Sequence, residues 1–371
     1  MSTRMPHVWL LCGLGGAGKT TTAAAFGVGL ARTGRRVVVL TIDPARRLAD
    51  ALGMTLEGTE PTPIPLDDIP GAQGSLHALM LDRKATWDEI VRRCSPSDEV
   101  AQRLLDNRYY RAVSTRLTGS HEYMAVEKLH ELVESGHWDA VIVDTPPAQH
   151  AREFLRAPER MRRVLDRRVM GVLTTPGRGL LGSTTRRISK LVQRLIGERV
   201  LGDISEFFDL FSGMSGSIVS RNRAVDELLR SEQTHFLLVA AATSDASDDA
   251  LAFVRELRDR GLPFEGFIVN RMRPAAPDPT ELDLPPAPED VDIDAWRVAM
   301  RRVREMGIAA HQAGLRDAAA ASALGQTGDA PVWTLPDVPG GVADTAGLAA
   351  LAQRLPPAAH PLEGQPPDWM V

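Results

Sequence analysis

Directly after the apolar run from His7 to Cys12 the chain reads Gly13-Leu14-Gly15-Gly16-Ala17-Gly18-Lys19-Thr20-Thr21. No other stretch restricts the fold so closely, because it asks for a strand before it and a helix after it. Successive glycines let the backbone turn tightly enough for its N–H groups to converge on phosphate oxygens. Lys19 can then reach the β- and γ-phosphates, and the Thr20 hydroxyl can ligate Mg²⁺. The helix that follows directs its positive dipole end at the same anion. The lysines are few, namely Lys19, Lys84, Lys128 and Lys190, so the match to G-x-x-x-x-G-K-T is not a by-product of composition. The candidate phosphate contacts are Gly13, Gly15, Gly16, Ala17, Gly18, Lys19, Thr20 and Thr21. The plainer reading is a glycine-rich strand–helix turn without a ligand.

The formal charge of −5 comes with no basic tail, which argues against nucleic acid as the main partner. Cys12 and Cys94 are the only cysteines. Two isolated thiols build neither a disulfide framework nor a four-cysteine zinc site, and a reducing cytoplasm fits. Cys12, inside an apolar run, reads as a small buried hydrophobe. Met1 to Pro6 is too short for a signal peptide. No uncharged apolar stretch nears the roughly 18 residues that span a bilayer, so no transmembrane segment is expected and any membrane role is peripheral.

Strand-like runs recur at Val8–Cys12, Arg36–Ile42, Leu76–Leu81, Ala140–Val143, Phe236–Ala242, Phe264–Val269 and Val332–Leu335. Several are continuous Val/Ile/Leu runs, as in strands buried on both faces. Alternation with helices predicts an α/β fold with a doubly wound, mostly parallel sheet, its ligand at the carboxyl ends of the strands. Two long stretches lack strand candidates, 84–138 and 153–233. They predict a helical insertion subdomain within a single P-loop domain over 1–355. A Pro/acid-rich loop is expected at 273–294, one or two helices over Ala295–Ala323, and a disordered tail at 356–371.

Two acids and an amide end such runs. Ala140-Val141-Ile142-Val143-Asp144 places a carboxylate at a strand tip, where it can hold Mg²⁺ through water. Asp43, in Thr41-Ile42-Asp43-Pro44, can ligate Mg²⁺ through water, orient the attacking water, or cap the helix from Ala45 to Leu52. Asn270, in Ile268-Val269-Asn270-Arg271, can pair with an adenine edge or simply form a turn.

These pieces, in this order, resemble the ArsA-type family of deviant-Walker ATPases, which contains arsenical-pump and tail-anchored-protein-targeting ATPases. GLGGAGKTT is similar to the family's GKGGVGKTT, TIDPARRLADALG to its switch I TDPAHNLSDAFG, and VDTPPAQHAREFL to its switch II VDTAPTGHTLRFL. HEYMAVEKLHEL, IVNRM and LPDVPGGVADTAGLAALAQRL resemble further family segments, so the likeness runs from residue 7 to about 355. The resemblance implies ATP and Mg²⁺ as cofactors. It implies Lys19 as the phosphate lysine, Thr20 as the metal threonine, and Asp43 as the acid that activates the hydrolytic water. Asp144 matches the switch II acid, Asn270 the adenine-binding amide, and Pro336, more weakly, a residue beside the adenine. It further implies a homodimer, or a heterodimer with a related ATPase, that closes on ATP. The helical inserts would offer a groove to a hydrophobic or membrane-protein client.

The chain departs from the family in three ways. Leu14 stands where deviant Walker motifs carry a lysine that reaches across the dimer. Arg46 and Arg47 are conceivable substitutes, though solvated side chains are the simpler reading. The cysteine cluster of arsenite-responsive members is absent, as are the paired zinc cysteines of targeting members. Two functions from different classes follow: a Mg²⁺-dependent ATPase, or a nucleotide-binding switch that barely hydrolyses without a partner. The apolar stretch Ile188–Val219 reads either as part of the client groove or, the favoured reading, as a stripe packing on neighbouring helices. Trp87, Trp138, Met124 and Met161 read as core. His121, His130 and His137 lack metal spacing. His150, in the switch II match, has a positioning role at most.

Overall fold

Buried Val/Ile/Leu runs pair side by side into one sheet in the computed structural model. It describes residues 5–355 apart from 14, 44, 46, 57, 70, 117–119, 147, 165–197, 243, 275 and 279–284. The strands are β1 His7–Gly13, β2 Arg36–Thr41, β3 Thr62–Ile64, β4 Ser75–Met80, β5 Ala140–Asp144, β6 Thr234–Ala241, β7 Phe264–Met272 and β8 Val332–Pro336. Their order is β3-β4-β2-β5-β1-β6-β7-β8. Every pairing is parallel except β3 with β4. β3 has no counterpart among the sequence-derived runs. It is three residues long and contains Pro63, which only an edge strand tolerates.

The helices are α1 Lys19–Arg32, α2 Arg47–Leu52, α3 Arg83–Cys94, α4 Asp98–Asp106, α5 Arg108–Arg116, α6 Ser120–Glu134, α7 Ala148–Val164, α8 Glu198–Arg230, α9 Ser244–Asp259, α10 Ile293–Gly328 and α11 Thr345–Ala352. Strand side chains alternate between two cores. Trp9 and Leu11 join the core under α1, α2 and α11. Val8, Leu10 and Cys12 join the core under α3, α4, α6 to α9 and α10. The helices of the two inserts therefore share one apolar cluster with the sheet. Asp82 and Ser97 cap α3 and α4, accepting from the N–H groups of Ala85 and Val100. Between α6 and α8, the buried Glu127 carboxylate accepts from Tyr123 Oη at 2.5 Å and Arg221 Nε at 3.0 Å.

The segment from Ala295 to Ala323 belongs to one continuous helix, α10, of 36 residues. Asp292 starts it by accepting from the N–H groups of Asp294 and Ala295, so helix begins inside the stretch expected to be loop at 273–294. In α8, Phe207, Met214 and Ile218 are buried and Leu210 and Phe211 pack against the same cluster, which is the packing reading of that stripe. Its beginning at 188–197 and the tail at 356–371 lie outside the described residues. Trp87 and Met124 are buried, and Trp138 and Met161 are partly buried against the same core. No helix among the described residues is long and apolar enough to cross a membrane.

Gly13 closes β1 at φ 156°, and a Cβ there would collide with the backbone carbonyl of Val239 on β6. Backbone cannot yield as a side chain can. Gly13→Ala is expected to destabilise the protein by about 3 kcal/mol in denaturant titration. Parental stability in that variant would show that β1 and β6 separate freely.

Candidate active site

The sheet order places the carboxyl ends of β2, β5, β1, β6 and β7 along one edge, with the glycine-rich loop of β1 at the centre. Gly18 precedes α1 in the left-handed region at φ 84°, which glycine adopts without strain. This turn brings Lys19 back over the loop, where its Nζ donates to Gly13 O at 3.1 Å. Lys19 is 8 % exposed. Burial pushes its pKa below the usual lysine value, and Asp144 opposes that shift.

Parallel pairing sets Thr41 of β2 opposite Asp144 of β5. Asp144 Oδ2 accepts from Thr20 Oγ1 at 2.8 Å and from Thr41 Oγ1 at 2.9 Å. Oδ1 is buried with no hydrogen-bond partner among the described residues. Desolvation raises the Asp144 pKa to about 6, against the lowering effect of Thr20, Thr41 and Lys19. A buried carboxylate oxygen without a donor, beside a threonine hydroxyl, suits a hard divalent cation that keeps waters and phosphate oxygens as its other ligands. Thr20 and Asp144 thus fit Mg²⁺.

Asp43 stands two residues past β2. Its Oδ1 accepts from the Ala45 N–H at 2.9 Å and its Oδ2 from Arg47 Nη1 at 3.1 Å. Its own N–H donates to Thr41 Oγ1 at 3.3 Å, joining it to Asp144 through one hydroxyl. The helix starts at Arg47 and not at Ala45, so Asp43 closes a turn ahead of α2 rather than capping it, and only its backbone reaches Asp144, through Thr41. Leu14 and Arg46 lie outside the described residues.

On the other flank, Asn270 is 8 % exposed and its Nδ2 donates to Ala17 O at 2.9 Å. The pairing of β7 with β8 shifts register between Val269 and Met272, and Arg271 takes φ 58°. Irregularities of this kind can re-aim a side chain, and Asn270 lies against the loop at Ala17. Asn270 and Arg271 line a cavity of about 460 Å³ with Ala241, Arg273, Asp317 and Asp337. Its size suits a small ligand. Arg273 holds the buried Asp317 of α10 through Nε at 2.9 Å and Nη2 at 2.6 Å. That guanidinium keeps the Asp317 carboxyl below the usual range. Pro336 ends β8 opposite Met272, next to Asp337 of the cavity wall.

Cys12 is buried behind the loop, and desolvation pushes its thiol up to about 12, so it is inert. No cluster of three or more metal-ligating His, Cys, Asp or Glu occurs among the described residues. His130 Nδ1 instead lies 3.3 Å from Glu134 Oε2, and the His121 and His150 side chains lie outside what is described. Thr41, Arg273, Asp317 and Asp337 were not singled out by the sequence. Thr41 carries a local signal, a hydroxyl at a strand end two residues before Asp43. Asp317 sits in a helix 44 positions from its partner Arg273, with no local signal at all.

A glycine-rich loop between strand and helix, a buried lysine and a Thr/Asp pair on adjacent strand ends define a P-loop nucleotide hydrolase. The sequence matches the family described as anion-transporting ATPase over residues 7–282. Relatives include ATPase get3 of Schizosaccharomyces japonicus, 24% identical over 71% of this chain and 74% of its own length. An uncharacterised Streptomyces coelicolor protein is 28% identical over 95% of this chain and 88% of its own. ATPase ARSA1 of Chlamydomonas reinhardtii is 25% identical over 71% of this chain and 34% of its own. The chain belongs to the ArsA family of anion-transporting ATPases, and it is an ATPase.

Proposed function

We propose that the chain hydrolyses ATP with Mg²⁺ held by Thr20 and Asp144, and that Asp43 orients the attacking water. The observation that carries this reading is the partnerless Asp144 Oδ1 beside the Thr20 hydroxyl. The phosphates rest on the loop N–H groups of Gly15 to Thr21 and on Lys19. The base occupies the cavity beside Asn270, near Pro336. Bound Mg²⁺ supplies charge neutralisation at the β- and γ-phosphates. The water oxygen bonds to the γ-phosphorus while the bond to the β–γ bridging oxygen breaks. ADP leaves with that electron pair, and the proton shed by the water passes to phosphate or solvent. Lys19 and the loop N–H groups stabilise the charge that develops.

Nucleotide-driven closure of a homodimer, or of a heterodimer with a related ATPase, would gate a client surface on the helical inserts. The family likeness supports that extension. A second reading, a switch that hydrolyses slowly, is favoured by Leu14 in place of the signature lysine. Steady-state ATP turnover with saturating Mg²⁺, measured beside Asp43→Asn, separates the two. A turnover that falls about a hundredfold in the variant establishes a self-sufficient hydrolase. Negligible turnover in both proteins, with ATP bound, selects the switch.

A further inference from the structure

Arg47 is the first residue of α2, and its guanidinium donates one N–H to Asp43 Oδ2 at 3.1 Å. The other Asp43 oxygen is taken by the Ala45 N–H. With both contacts in place, the carboxylate is neutralised and held within its own loop. The Arg47 side chain is 66% exposed, so most of it is open to solvent. An ion pair this exposed is weakly held and exchanges easily for a stronger anion.

Strand order tells which anion that is. Asp43 and Arg47 follow β2, two strands from β1 on the Asp144 side, and the base-sized cavity lies by β7, two strands from β1 on the other. Strands lie about 4.8 Å apart, so each flank is roughly 10 Å from the glycine-rich loop. A nucleotide with its base in the cavity and its phosphates across the loop carries its last phosphate toward Arg47. Arg273, on the cavity side, is committed to Asp317. A guanidinium offers the planar fork that phosphate oxygens accept.

We propose that Arg47 is a catalytic residue that reads the terminal phosphate: on triphosphate binding it leaves Asp43 for the γ-phosphate, supplies a cation to the transition state, and frees Asp43 to orient water. This deepens the nucleotide reading above and rests on it. One exchange of partners then couples recognition of ATP, as opposed to ADP, to release of the water-orienting acid.

The test uses the full chain with Mg²⁺. Calorimetry gives the affinities for ADP and for the β,γ-imido analogue of ATP in the parent, Arg47→Ala and Arg47→Lys, and ATP turnover is measured alongside. Arg47→Ala is expected to weaken the imido analogue about tenfold and leave ADP within about twofold. Turnover falls about a hundredfold, and lysine restores part of both losses. The unchanged ADP affinity also reports that the variant is folded. Equal weakening of both nucleotides, or no weakening of either, overturns the assignment of Arg47 and leaves the nucleotide site standing. A parent that binds neither nucleotide overturns the site itself, and Arg47 with it.

Discussion

Lys19→Ala is expected to abolish the activity while leaving a folded protein. Lys19 is the cation buried at the loop, with its Nζ on Gly13 O and its charge felt by Asp144. A charge-assisted hydrogen bond lost from a desolvated phosphate site corresponds to about a hundredfold in ATP affinity. Loss of a cation aimed at developing charge removes about a thousandfold in turnover. The side chain packs at the edge of α1, and the helix is carried by Ala23, Ala24, Phe26 and Val28, all buried. Far-ultraviolet circular dichroism and the unfolding midpoint should therefore stay close to parental. ATP binding in Lys19→Ala within a few fold of the parent would refute the phosphate role.

Asp144→Asn separates the stability of the protein from its chemistry. The folded carboxylate titrates near pH 6 because burial disfavours its charge, whereas the unfolded group has its ordinary value of 3.8. The native state thus binds this proton more tightly than the unfolded chain does. The stability it contributes is present below about pH 4 and is lost as pH rises through about 6. Between those limits the parent should lose roughly 3 kcal/mol relative to the variant, which does not titrate. Paired denaturant curves at pH 4 and pH 7, without Mg²⁺, measure this change in the gap. Turnover with Mg²⁺ should fall about a thousandfold in the same variant. A gap that is flat with pH would mean the carboxylate is solvated, and turnover within tenfold of the parent would remove Asp144 from the metal site.

The parts of this site that were legible in the sequence are those written locally. Gly13 to Thr21 and the run ending in Asp144 carry loop, strand and acid within a few positions, and the β5–β1 pairing then follows from the topology. Asp43 was legible as an acid just past a strand, but its partners Ala45 and Arg47 were not, because they depend on how one turn folds. Asn270 was read as facing a base or forming a turn. In the structure its amide donates to Ala17 O and it lines the cavity, next to a shift of register between β7 and β8 that strand patterns do not encode. The opposite cavity wall comes from α10, whose Asp317 meets Arg273 only in the folded chain. The stripe in α8 looked ambiguous because a core-facing and a groove-facing stripe have the same period. Burial of Phe207, Met214 and Ile218 decides it for the described part.

The position of α7 has a mechanical consequence. It begins four residues after Asp144 and runs from Ala148 to Val164, with Pro158 inside it. Such a rod is about 25 Å long. Near its origin stands the Asp144 carboxylate, which accepts from Thr20 and Thr41. Further along, Phe154 and Leu155 sit in the cluster shared with α6 and α8, and Arg152 and Arg156 grip Glu256 of α9. A tilt of about 5° at the origin would sweep the far end through about 2 Å. Its first turn lies beside Asp144 and its later turns pack on α6, α8 and α9, so a displacement at one end would be felt at the other.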